Sequence, residues 1–183
     1  MARVTRSTWI VLVVILVVGF GGWYLLHRPS GHVVMRFADR IPNAVEARPR
    51  PDVFSVIEAT IAGDTKHAIF ASETSRIAWR VTVPDHAWIV VSTGMLEKGW
   101  NTPGDGVLFR ISANDDELLN LVMNPYATAS DRQWHDLKLD LSEYAGETVN
   151  IYFKTNASPP VPPGHNDPNG DFAVWGDPRL VTE

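Results

Sequence analysis

RIAWRVTV, residues 76–83, decides the fold. Ile77, Trp79, Val81 and Val83 fall on one face of an extended chain, and Arg76, Arg80 and Thr82 fall on the other. A period of two is the signature of a half-buried strand, because successive side chains on a pleated backbone point to opposite sides. The pattern returns in GVLFRI (106–111), with Val107, Phe109 and Ile111 facing inward, and in TVNIYFKT (148–155), with Val149, Ile151 and Phe153 inward. LKLDL (137–141) adds Leu137, Leu139 and Leu141. Further strands are predicted near 55–61, 67–71, 87–93, 117–123 and 179–182, and HVVMRF (32–37) suits one more short strand. The breaks carry turn chemistry: Gly63-Asp64, Pro84-Asp85, Pro103-Gly104-Asp105-Gly106, Asn124-Pro125 and Ala145-Gly146. Roughly eight or nine short strands at about ten-residue spacing, with no amphipathic helix among them, specify an all-β antiparallel β-sandwich.

Upstream, the chain changes character. WIVLVVILVVGFGGWYLL, Trp9 to Leu26, holds no charge. At about 1.5 Å per helical residue it reaches roughly 27 Å, close to the hydrocarbon thickness of a bilayer. Trp9, Trp23 and Tyr24 stand at its ends, where amphipathic rings favour the headgroup level. The run is longer than a signal-peptide core and no small-x-small cleavage site follows, so a retained transmembrane helix is expected. Arg3 and Arg6 favour an inside N-terminus. The expected organisation is a cytoplasmic tail at 1–8, a transmembrane helix at 9–26, a linker at 27–52 and an extracytoplasmic sandwich at 53–183. The linker reading rests on Pro29, Gly31, Pro42, Pro49 and Pro51, which forbid a long helix. The expected location is the cell (inner) membrane, single-pass, with the C-terminal domain periplasmic or extracellular.

Charge and composition narrow the function. The 183 residues carry a formal net charge of -5 and no cysteine, which removes disulfides, thiolate metal sites and cysteine nucleophiles. Residues 53–183 hold nine basic against eighteen acidic side chains, which disfavours nucleic acid as a partner. No Gly-x-Ser-x-Gly elbow, His-Glu-x-x-His pair, phosphate loop or dinucleotide fingerprint is present, and no enzymatic activity is expected.

SRIAWRVTVP (75–84), GDGVLFRI (104–111), WHDLKLDLSEYAGETVNIYFKT (134–155) and DFAVWGDP (171–178) together resemble the jelly-roll modules grouped as galactose-binding-domain-like. The resemblance implies a jelly-roll form of the sandwich. Modules of that group serve as sugar binders, as protein-docking domains and as spacers, so it leaves the function open. In this frame Asp140-Leu141-Ser142 ends a strand and begins a single helical turn, Gly146 releases the chain into the next strand, and Trp134 and Trp175 are core or edge-covering rings.

Two loops supply the candidate site residues. Trp100 lies in the polar loop 97–106 and is the leading candidate for an exposed ring that stacks on a sugar, with Asn101, Asp105 and Asn166 as polar neighbours. DPNGDF (167–172) spaces oxygen ligands at Asp167, Asn169 and Asp171 as in the first part of many calcium loops, although Phe172 stands where a glycine is usual. Calcium is the one cofactor considered, and Asp105 joins such a site only if the two loops meet.

Two functions follow. The first is a non-catalytic, single-span accessory subunit of a larger membrane complex, of the respiratory or photosynthetic core kind, with the lipid bilayer and integral membrane subunits as partners. The second is a membrane-anchored carbohydrate-binding module at the cell surface.

Overall fold

The computed structural model of the chain describes residues 32–71, 74–157 and 170–183. The apolar run Trp9–Leu26, with Trp9, Trp23 and Tyr24, lies outside the described residues, as does the tail before it. Among the described residues, no helix is long and apolar enough to cross a membrane.

Residues 32–182 form a sandwich of two antiparallel sheets. The strands are β1 (His32–Arg36), β2 (Glu46–Arg48), β3 (Phe54–Ile61), β4 (Asp64–Ala71), β5 (Ser75–Thr82), β6 (Ala87–Met95), β7 (Val107–Ala113), β8 (Asp116–Met123), β9 (His135–Asp140), β10 (Thr148–Ala157) and β11 (Ala173–Thr182). One sheet runs β3-β4-β11-β6-β9, with β1 also on β11; the other runs β2-β5-β10-β7-β8. The strands expected from alternation are present, and their apolar faces meet between the sheets. Ile77, Phe109, Ile111, Ile151 and Trp175 are all at most 1% exposed. Trp175 sits at the centre of this layer, its ring 4.9 Å from those of Phe109 and Phe153.

The turns follow from local chemistry. Ala62 and Gly63 both take positive φ, the geometry that lets a two-residue turn match the twist of the strands it joins. After β9, Asp140 Oδ1 accepts hydrogen bonds from the Ser142 amide (2.8 Å) and hydroxyl (2.6 Å), which starts the 3-10 turn Ser142–Tyr144. Gly146, at φ +80°, then turns the chain into β10. Pro178 has no amide hydrogen to give a ladder, and the register of β11 shifts there, with Asp177 at positive φ. One edge of β11 therefore pairs with β4 before the irregularity and with β1 after it.

The linker expected at 27–52 is corrected by β1 and β2. From His32 onward the segment is part of the sandwich: β1 pairs with β11 and β2 with β5. Phe37 between them is fully buried, its amide donating to the Pro178 carbonyl at 2.9 Å. The prolines that exclude a helix are compatible with short edge strands, and that is what they punctuate.

The outer face of the six-stranded sheet carries a smaller apolar cluster. Ala59, Ile61, Ala68 and Val174 are buried under Trp134, Trp100, Leu96 and Phe70. Trp134 lies over Gly94 and Gly176. A Cβ on Gly94 would come within 2.5 Å of Ile61 and 2.9 Å of the Trp134 ring, so glycine is the residue that admits the indole. Trp134 is thus an edge-covering ring and Trp175 a core ring, as the sequence predicts.

Candidate functional site

The outer face of the five-stranded sheet is chemically unlike the rest of this acidic domain. Because strand side chains alternate, burying Ile77, Phe109 and Phe153 turns Arg76, Arg110 and Lys154 outward. The register then aligns them. Arg48 of β2 stands opposite Arg76 of β5, Arg76 opposite Lys154 of β10, and Lys154 opposite Arg110 of β7. Four basic positions form one row across four strands. Directly opposed like charges destabilise a sheet, on the order of a few tenths of a kcal/mol per pair.

A pocket of about 410 Å³ opens over this row, walled by Arg48, Pro49, Arg76, Arg110, Lys154 and Asn156. That volume is within the usual range for small-ligand sites. Its groups are held by partial pairing. Glu46, one row away, accepts from Arg48 Nε at 2.6 Å and from Arg76. Arg110 donates from Nη2 to Asn156 Oδ1 at 3.0 Å, while its Nε is buried with no hydrogen-bond acceptor among the described residues. Lys154 Nζ donates to Ser112 Oγ at 3.0 Å. The Tyr152 ring lies 5.0 Å from the Lys154 ammonium and 5.7 Å from the Arg76 guanidinium, which steadies both stems. Burial first, and then the positive charges of Arg110 and Arg76, lower the pKa of Lys154 from its ordinary value. The pocket therefore presents guanidinium, ammonium and amide donors, and no carboxylate lines it among the described residues. Such an array suits a ligand rich in oxygen acceptors.

The residues singled out from the sequence lie elsewhere. Trp100 is half-buried: its indole N–H donates to the Met95 carbonyl at 2.8 Å, its ring packs on the smaller apolar cluster, and the Arg132 guanidinium lies 5.9 Å from it. It serves packing at this edge and is not held out as a free stacking surface. Asn101 is exposed beside it, and Asp105 is half-buried; neither walls the pocket. Asn166, Asp167 and Asn169 lie outside the described residues, so of the calcium set only Asp171 is placed. The two loops do meet. Gly99 and Thr102 approach Gly170, and Gly104, Gly106 and Asp171 line one small cavity. Asp105 Oδ1, between those two glycines in sequence, is buried without a hydrogen-bond donor among the described residues. Among the described residues no three acidic or histidine side chains come together as a metal cluster.

Arg76, Arg110, Lys154 and Asn156 were not legible as a site from sequence. Their one signal is that each is an outward polar position in a strand with a strong apolar face. Only the register shows that three of them share a row.

Fold and topology define the class: an all-β antiparallel β-sandwich of jelly-roll form. Solved structures it is similar to in fold are carbohydrate-binding modules. The CBM51 of Clostridium perfringens GH95, solved in complex with methyl-galactose, superposes with a TM-score of 0.55 at 13% identity, over 81% of this chain and 99% of that one. CBM51-2 of Clostridium perfringens ZmpB, solved with INT domains in complex with GlcNAc, gives 0.55 at 16% identity, over 80% of this chain and 31% of that one. The tandem CBM51 modules of Sp3GH98 from Streptococcus pneumoniae give 0.56 at 11% identity, over 81% and 47%. No protein-family model matches the chain. In sequence it is 32% identical over 121 residues to an uncharacterised protein of Archaeoglobus fulgidus, a match spanning 63% of this chain and 29% of that relative. The chain thus matches less than a third of the relative's length.

Proposed function

We propose that the chain is a non-catalytic carbohydrate-binding module that takes sugar at the pocket on the five-stranded sheet. The observation that carries this is the pocket itself. Donors from β2, β5, β7 and β10 converge on a cavity of ligand size, on a sandwich similar to solved carbohydrate-binding modules. Sugars are dense in hydroxyl acceptors, and rigid strands hold the donors with little freedom left to lose on binding. Of the two functions expected from the sequence, the likeness supports the carbohydrate-binding one; nothing among the described residues points to an accessory subunit.

The test is a glycan array followed by calorimetric titration of the best ligand, with Asn156→Ala as the site variant. Wild type is expected to bind at least one glycan, and the variant to bind it at least tenfold more weakly, about 1.4 kcal/mol. An array without a single specific glycan overturns the proposal. Each titration is run with calcium and with chelator. The buried Asp105 Oδ1, without a hydrogen-bond donor among the described residues, is the kind of group a cation satisfies, and a melting temperature unmoved by chelator removes calcium from the proposal.

A further inference from the structure

The row Arg48–Arg76–Lys154–Arg110 is more basic than sugar hydroxyls require. Residues 53–183 carry twice as many acidic as basic side chains, yet three of their nine basic residues stand in this one row. Glu46 answers the charge of Arg48 and Arg76 only, since both guanidinium groups reach its carboxylate. Lys154 and Arg110 donate to a hydroxyl and an amide, and the carboxylates of Glu117 and Asp115 act on Lys154 through space, more weakly than the cations Arg110 and Arg76. The buried Nε of Arg110 has no acceptor among the described residues. An outward strand position accepts almost any polar residue, so four opposed cations are poorly explained by folding alone. They are explained by an anion that lies on them.

Resting on the carbohydrate-binding reading, we infer that this pocket selects anionic glycans, in which a carboxylate or sulfate group sits on Lys154, Arg110 and Arg76. Strands about 4.8 Å apart place the row's four positions across roughly 14 Å, so a charged saccharide laid across β5, β10 and β7 meets a cation on each strand. The planar guanidinium of Arg110, on the pocket wall, suits contact with a carboxylate or sulfate edge.

The experiment compares polygalacturonate (carboxylates only), dextran sulfate (sulfates only) and neutral galactan on the full chain in detergent, against a Lys154→Gln/Arg110→Gln double variant and a charge-keeping Lys154→Arg variant. Wild type is expected to bind at least one polyanion at least tenfold more tightly than galactan and to lose affinity as salt rises. The double variant should lose at least tenfold of the polyanion affinity, and Lys154→Arg should keep it. The melting temperature of the double variant should be unchanged or higher, because opposed like charges are removed; a cation held for folding would lower it. Should the double variant fail to fold, Lys154→Gln alone carries the same comparison. If wild type prefers galactan to both polyanions, the charge assignment is overturned and the carbohydrate-binding reading stands. If a polyanion binds but the folded variants bind it equally, the site assignment is overturned. If no glycan binds at all, both fall.

Discussion

Phe37 shows how much one residue decides. Its ring lies 5.0 Å from Trp79 and 5.1 Å from Phe153, tilted against both, and it is fully buried. It bridges a segment with the composition of a linker to the aromatic centre of the sandwich. Truncating such a ring removes its transfer free energy and leaves a cavity, so Phe37→Ala should destabilise the fold by about 3–5 kcal/mol in urea denaturation. A linker residue would change it by less than about 0.5 kcal/mol. A result in that lower range would mean that β1 and β2 are not integral to the domain.

At the scale of elements, the strands of the six-stranded sheet are tied by side-chain bonds as well as ladders. Lys66 on β4 donates to Ser92 on β6 at 2.8 Å and to Asp136 on β9 at 2.6 Å, with Ser92 donating to the same carboxylate at 2.6 Å. These strands are not all neighbours, since β11 lies between β4 and β6. Lysine reaches across that gap past Gly176, whose missing side chain leaves room for its stem. The hydrogen bonds from Lys66 and Ser92 lower the pKa of Asp136 from its ordinary value. A carboxyl group that is a stronger acid folded than unfolded contributes stability fully above the unfolded pKa and loses it as pH falls through the folded one. Wild type should therefore exceed Asp136→Asn in urea midpoint at pH 7, and the difference should shrink between about pH 5 and pH 2. The gap should also narrow in high salt, because the Asp136 side chain is 76% exposed. A difference independent of pH would remove the charge of Asp136 from the account.

For the whole molecule, one apolar layer unites both sheets, running from Phe37 on the N-terminal segment to Leu180 on the last strand. Residues 32–183 produced alone should unfold in one cooperative transition, with circular dichroism and tryptophan fluorescence coincident. Separate transitions, or no fold, would show that this layer is not a sufficient core. Much of this architecture was readable in advance. Which residues are strands, which face is apolar and that the fold is an all-β sandwich all follow from RIAWRVTV and its repeats, because a period of two is a property of the local chain. The turns at Gly63, Ser142 and Gly146 are equally local, since they depend on backbone freedom and on side chains a few residues away. The place of residues 32–53 was not readable, because whether Phe37 is buried depends on β5 and β10, some forty to over a hundred residues onward. Nor was the basic row. Arg48, Arg76, Arg110 and Lys154 are scattered along the sequence, and only strand register, a long-range property, sets them side by side.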